Sequence, residues 1–141
     1  MKTEPLGQSI EALADLIAEL RAKCPWDREQ THASLVKYLV EESQEVVDAL
    51  AALDAPGADA AQAYDHLEDE LGDLLLQVLL HSHLASEQGR FTLADVTERL
   101  RTKLIRRHPH VFGDFVAETA EEVNANWERI KEREREANPP L

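Results

Sequence analysis

The chain has 141 residues, 43% of them hydrophobic, so it is long enough to bury one substantial core and is not disordered overall. Its 28 acidic against 15 basic residues give a formal charge of −13, which opposes phosphate-backbone binding and argues against a nucleic acid partner. The lone cysteine, Cys24, excludes an internal disulfide framework and the zinc patterns that need two or more thiolates, while the longest apolar run, Leu74 to Leu80, is broken by Gln77 and is too short to span a bilayer.

With only five glycines and six prolines and no sustained β-branched alternation, the chain is expected to be all-α. A first helix is predicted from Ser9 to Lys23, with Ile10, Leu13, Ile17 and Leu20 on one stripe, and Cys24-Pro25-Trp26-Asp27 interrupts it. A second, from Thr31 to Leu53, carries Leu35, Leu39, Val46, Leu50 and Leu53 on its apolar face. The third, Ala60 to Gln88, is apolar around most of its circumference between Leu71 and Leu80, as suits a central buried helix, and Gly89 is placed to end it in a left-handed conformation. Thr92-Leu-Ala-Asp95 reads as a capping box opening a fourth helix with Val96, Leu100 and Leu104 as its stripe, and Pro109 ends it. After a loop from His108 to Asp114, a second capping box, Thr119-Ala-Glu-Glu122, opens a short last helix with Val123, Trp127 and Ile130 on one side. The charged and then Pro-rich tail, Glu132 to Leu141, is expected to fray. No repeat or linker divides the chain, so a single domain over 1–141 is expected, with its core at about 10–131.

Two acidic clusters stand out on this scaffold: Glu41, Glu42 and Glu45 in EESQE, and Glu70 with Asp73 in ELGD. Members three or four residues apart share a helix face, at about 5–6 Å between Cβ atoms. The midpoint between the Glu42/Glu45 pair and the Glu70/Asp73 pair falls at Gly57-Ala58, next to the Pro56-Gly57 break. A chain folding back there as an antiparallel helical hairpin brings both pairs to the same height. Glu42 also lies within the apolar stripe of its helix, between Leu39 and Val46. Converging carboxylates repel and lose hydration, a cost that a hard divalent cation offsets. Solvated acidic helix faces are the alternative.

On the fourth helix, Lys103 and Arg107 border the apolar stripe, either as snorkelling side chains or as neutralising groups for a phosphate chain. Trp127 and Lys131, at i and i+4 on the last helix, repeat the pattern, with an indole that can stack on a base or merely pack. His81 and His83 fall on different helix faces and cannot share an ion, and His108-Pro109-His110 is read as a turn.

Together these residues resemble the MazG family of nucleoside triphosphate pyrophosphohydrolases, within the wider all-α NTP pyrophosphatase group. The group's EExxE and ExxD motifs correspond to Glu41–Glu45 and Glu70–Asp73. CPWDREQT (Cys24 to Thr31), ELGDLLLQV (Glu70 to Val78), KLIRRHPHVFGD (Lys103 to Asp114) and NANWERIK (Asn124 to Lys131) match further stretches of it. The resemblance implies a four-helix-bundle-like MazG fold built on the antiparallel hairpin. It implies Mg²⁺, with Mn²⁺ as a substitute, held by Glu42, Glu45, Glu70 and Asp73, and Glu41 beside them as an outer or occasional ligand. Lys103, Arg107 and Lys131 would contact the triphosphate, and Trp127 would position the nucleotide. The implied reaction splits an NTP or dNTP into monophosphate and pyrophosphate, as nucleotide-pool housecleaning by a homodimer or a dimer of dimers; the cytoplasmic setting is expected from the lone cysteine and the lack of a long apolar run. A narrower dUTPase or dCTP pyrophosphatase is the rival within the group, and a non-catalytic helical interaction module the rival outside it.

Overall fold

A computed structural model describes residues 5–140, which leaves Met1 and Leu141, both part of the sequence reading above, outside the described residues. Among these residues every regular element is a helix and none is a strand. The helices are α1 (Leu6–Lys23), α2 (Pro25–Glu29), α3 (His32–Leu53), α4 (Ala60–Glu87), α5 (Leu93–Arg107), α6 (Pro109–Phe112) and α7 (Ala120–Ala137). They fall into two compact units, the first ending at Leu93 and the second beginning at Ala94.

In the first unit α3 packs along α4 and α1 packs on α4. Thr31 caps α3 through its hydroxyl, which accepts from the Ser34 N–H at 3.0 Å, while the Ser34 hydroxyl accepts from the Thr31 N–H at 2.8 Å. This reciprocal cap uses serine where glutamate is the usual partner, so it escapes a pattern search. The turn after α3 contains Gly57 at φ +77°, and the Asp59 carboxylate then accepts from the N–H groups of Ala61 and Gln62 to start α4. Gly89, at φ +65°, ends α4: its N–H donates to Ser86 and that of Arg90 to Ala85, the paired bonds of a left-handed C-terminal cap. His32 meets His81 while Glu42 and Glu45 meet Glu70 and Asp73, so residue numbers rise along α3 as they fall along α4 and the hairpin is antiparallel. Its core is Ile17, Leu35, Leu79, Leu80 and Leu84, with Ile10, Leu13, Tyr38, Leu76 and Leu93 packed around them.

Several expectations are corrected. Helix α1 begins at Leu6 and not at Ser9, because the Ser9 N–H bonds the Pro5 carbonyl at 3.1 Å and is thereby inside the helix. The Cys24–Asp27 break is itself a short helix opened by Pro25, whose missing N–H costs nothing at a first helical position. Arg21 holds it: its Nη1 donates to the carbonyls of Asp27, Arg28 and Gln30 at 2.6, 2.8 and 3.0 Å, and its Nε pairs with Glu87 at 3.1 Å. Helix α4 is not buried all round, since Leu71, Leu75 and Val78 are exposed. Leu39 and Leu50 of α3 are likewise exposed, as are Leu100 and Leu104 of α5.

In the second unit the segment expected as loop contains the single turn α6, again opened by a proline, Pro109. Thr119 caps α7 by accepting from the Glu122 N–H at 3.2 Å, but the Glu122 carboxylate returns to the Glu118 N–H at 3.0 Å, one residue earlier than the expected box. The tail does not fray from Glu132. Helix α7 continues to Ala137, because its last two turns hold Glu134 in contact with Arg106 and Arg107 of α5.

A carboxylate cluster and a basic groove

The hairpin brings Glu42, Glu45, Glu70 and Asp73 together, with one oxygen from each lying within 4.8 Å of the others. Glu70 is buried, Glu42 and Asp73 are half-buried, and Glu45 is exposed. The Oε2 atoms of Glu42 and Glu70 are buried and have no hydrogen-bond partner. Burial, reinforced by Glu45, Asp73 and Glu70, pushes the Glu42 carboxyl up to about 7. Glu70 is raised as well, first by Glu45 within hydrogen-bonding reach and then by burial, and His66, whose Nδ1 stands 3.8 Å from Glu70 Oε1, only partly counters this. Glu41 is exposed and stands outside the group of four.

The donor set fits a hard divalent cation. At the ligand distance of about 2.0–2.1 Å that Mg²⁺ demands, octahedral neighbours stand about 2.9 Å apart and opposed oxygens about 4.2 Å. One oxygen from each carboxylate already lies within 4.8 Å of the others, close to the span of opposed ligands, and the two orphaned oxygens are what a cation would satisfy. All four are hard oxygen donors, the chemistry that Mg²⁺ or Mn²⁺ takes.

The second unit, on α5 and α7, carries an open groove of about 560 Å³ whose lining includes Lys103, Arg106, Arg107 and Lys131. Arg107 is half-buried and lies over the Trp127 ring, 5.6 Å from its centroid, and His108 meets the same ring edge-on at 4.9 Å. Trp127 is thus partly packed, with Arg107 over one face. Lys131 pairs with Glu128 at 3.2 Å. Lys103, at the stripe edge, has no ion pair among the described residues and so is available to an anion.

Sequence reasoning passed over two features. Glu134 is the only acid among the described residues of the groove lining; its spacing from Arg106 and Arg107, 28 and 27 residues, carries no periodic signal. The second is the seam of α3 and α4 beyond the carboxylates, where His32 Nδ1 lies 2.7 Å from His81 Nδ1 with the rings stacked, and where Gln77 Oε1 is buried without a partner. Burial first, and His32 second, lower the His81 pKa.

An all-helical hairpin with four convergent carboxylates defines a class of helical proteins whose acidic site could hold a divalent cation, and comparison with known proteins says which family this is. Residues 30–112 match the MazG nucleotide pyrophosphohydrolase domain, more than half of the chain, and the protein belongs to that family. The chain is 45% identical to the nucleoside triphosphate pyrophosphohydrolase of Escherichia coli over 89% of its own length and 46% of the relative's. It is 42% identical to the nucleoside triphosphate pyrophosphohydrolase/pyrophosphatase MazG of Thermotoga maritima, over 92% of this chain and 46% of that one. An uncharacterized protein of Bacillus subtilis, YabN, is 43% identical over 92% of this chain and 25% of its own. The chain thus spans half or less of the length of these relatives. Among solved structures, a mazG-related protein from Thermotoga maritima superimposes with a TM-score of 0.66 at 26% identity, covering 86% of this chain and 98% of that one.

Proposed function

We propose that this chain hydrolyses nucleoside triphosphates, ribo or deoxy, to the monophosphate and pyrophosphate with Mg²⁺ as cofactor, and serves in housecleaning of the cytoplasmic nucleotide pool. The observation that carries the reading is the four-carboxylate cluster with its two buried, unpartnered oxygens, in a chain of the MazG family. Glu42, Glu45, Glu70 and Asp73 would hold the cation, with Glu41 as an outer or occasional ligand. When bound, Mg²⁺ supplies charge neutralisation to phosphoryl oxygens. Lys103, Arg107 and Lys131 neutralise further phosphate oxygens through charge-assisted hydrogen bonds, and Trp127 positions the nucleotide.

The assembly proposed is a homodimer or a dimer of dimers. Val36, Val40 and Val47 share one exposed face of α3, and Leu71, Leu75 and Val78 are exposed on α4, an apolar extent that a second copy would cover. No helix among the described residues is long and apolar enough to cross a membrane.

The test is a pyrophosphate-release assay over four NTPs and four dNTPs with Mg²⁺, beside sedimentation of the chelated and Mg²⁺-loaded protein. Release from several substrates is the expected result, and release from dUTP or dCTP alone would assign the narrower activity. No release together with no measurable Mg²⁺ affinity would sink the enzyme reading and leave a helical interaction module.

A further inference from the structure

Consecutive residues on a helix diverge by about 100°, since 3.6 residues make a turn. Arg106 and Arg107 are consecutive on α5, and their like charges add repulsion to that divergence. Both nevertheless converge on one carboxylate. Arg106 Nε donates to Glu134 Oε1 at 2.8 Å, and Arg107 Nη2 donates to Glu134 Oε2 at 2.7 Å, with Arg107 Nε at 3.3 Å from the same oxygen. Arg107 is held on two sides, its Nε edge by the carboxylate and its face by the Trp127 ring. The fork of five donors therefore keeps its Nη1 side uncommitted among the described residues, in a fixed orientation. The lining also includes Lys103, Lys131, Arg99 and Arg135, a density of positive charge that would splay flexible side chains apart without an anion in its midst. The strength of the contact shows in Glu134 itself, whose carboxyl Arg107 and Arg106 hold down at about 2.

We propose that Glu134 is a positioning residue: it gathers Arg106 and Arg107 into one preformed anion-binding edge of the groove, so that a triphosphate meets ordered guanidinium groups. The proposal rests on the pyrophosphohydrolase reading for the identity of the anion, and it adds two residues, Glu134 and Arg106, that the reading does not use. Two effects of Glu134 oppose each other. Its charge repels phosphate, but at about 0.15 M salt and partial exposure that repulsion is screened to a few-fold at most. Ordering two long arginine side chains only when the ligand arrives costs more than that, roughly tenfold in affinity. Orientation therefore wins, and the net effect of Glu134 on triphosphate binding is favourable despite its sign.

The experiment measures KM and kcat for a Mg²⁺-nucleotide and, separately, the affinity for inorganic tripolyphosphate by titration calorimetry, which needs no turnover. The proteins are wild type, Glu134→Ala, Glu134→Gln, the Arg106→Ala/Arg107→Ala pair, and that pair with Glu134→Ala. Glu134→Ala is expected to raise KM and weaken tripolyphosphate roughly tenfold with kcat within about twofold, and Glu134→Gln, which retains one acceptor oxygen, to recover part of the loss. In the protein lacking both arginines, Glu134→Ala should cease to weaken binding and should tighten it slightly, because only repulsion is left to remove. Unchanged or tighter binding on Glu134→Ala with both arginines present overturns the proposal and makes Glu134 a competitor of the phosphate. Equal weakening with and without the arginines overturns it too, since a general staple between α5 and α7 would act in that way. A wild type that releases no pyrophosphate defeats the pyrophosphohydrolase reading alone, because the tripolyphosphate titration still reads Glu134.

Discussion

Glu42 in the first unit and Glu134 in the second are the same side chain displaced in opposite directions, one up to about 7 and the other down to about 2. Glu42 is half-buried among three other carboxylates and has an orphaned oxygen, while Glu134 lies between two guanidinium groups with both oxygens bonded. At Glu42 burial leads and the neighbouring carboxylates push the same way, whereas at Glu134 the hydrogen bonds donated by Arg107 and Arg106 outweigh burial and reverse the sign. Among the described residues the first cluster has only His66 beside Glu70 as a partial counter-charge, and the second supplies its own. The first could hold a cation, and the second is the one we propose keeps arginines in order for an anion.

The sharpest way to break the contrast is Asp73→Asn. It should reduce pyrophosphate release to background, because a hard cation loses an anionic ligand. The metal-free fold should remain intact or gain slightly in stability, since one charge leaves a repulsive group. Near wild-type turnover would exclude Asp73 as an essential ligand.

Next in size, Lys103→Ala and Arg107→Ala should each lower kcat/KM by roughly ten- to a hundred-and-fifty-fold, the equivalent of about 1.5–3 kcal/mol for a charge-assisted hydrogen bond. Mg²⁺ affinity, measured by calorimetry, should hardly move. Weakened metal binding in either variant would blur the division of labour between the two clusters.

Trp127→Ala should change the ranking of bases in the substrate panel by about fivefold, near the low end of base–aromatic stacking at about 1 kcal/mol. A uniform drop across all bases, with a lower melting temperature, would show that the indole serves Arg107 and His108 as packing only.

The smallest effect is the pH dependence of stability in chelator. Glu42 binds its proton more tightly folded than unfolded, so its contribution is complete below about 4.5 and is lost as pH rises through about 7. Glu134 runs the other way: its contribution is present above about 4.5 and is lost as pH falls towards about 2. Thermal melts should therefore show the melting temperature falling by a few degrees between about pH 5 and 7, with Mg²⁺ or Glu42→Gln flattening that limb. A flat limb in chelator without either would remove the evidence that the cluster is strained.

Local signals in the sequence were enough to determine the five long helices, the left-handed turn at Gly89 and the meeting of the acidic clusters, because capping, periodicity and symmetric placement about Pro56-Gly57 are all written in the order of residues along the chain. Tertiary structure alone decided what depends on partners far along the chain. Arg21 gripping the carbonyls of α2 while pairing with Glu87, the His32–His81 contact, and Glu134 drawing Arg106 and Arg107 together each need two segments side by side. Glutamate at position 134 looks like any solvated helix residue until α5 lies beside α7, and the same pairing turns an expected frayed tail into two further turns of helix. The apolar periodicity of α4 marked its hydrophobic faces but not their occupants: Leu79, Leu80 and Leu84 belong to the core, and Leu71, Leu75 and Val78 stay exposed. Periodicity records that a side chain avoids water, and only the packed fold determines which surface covers it.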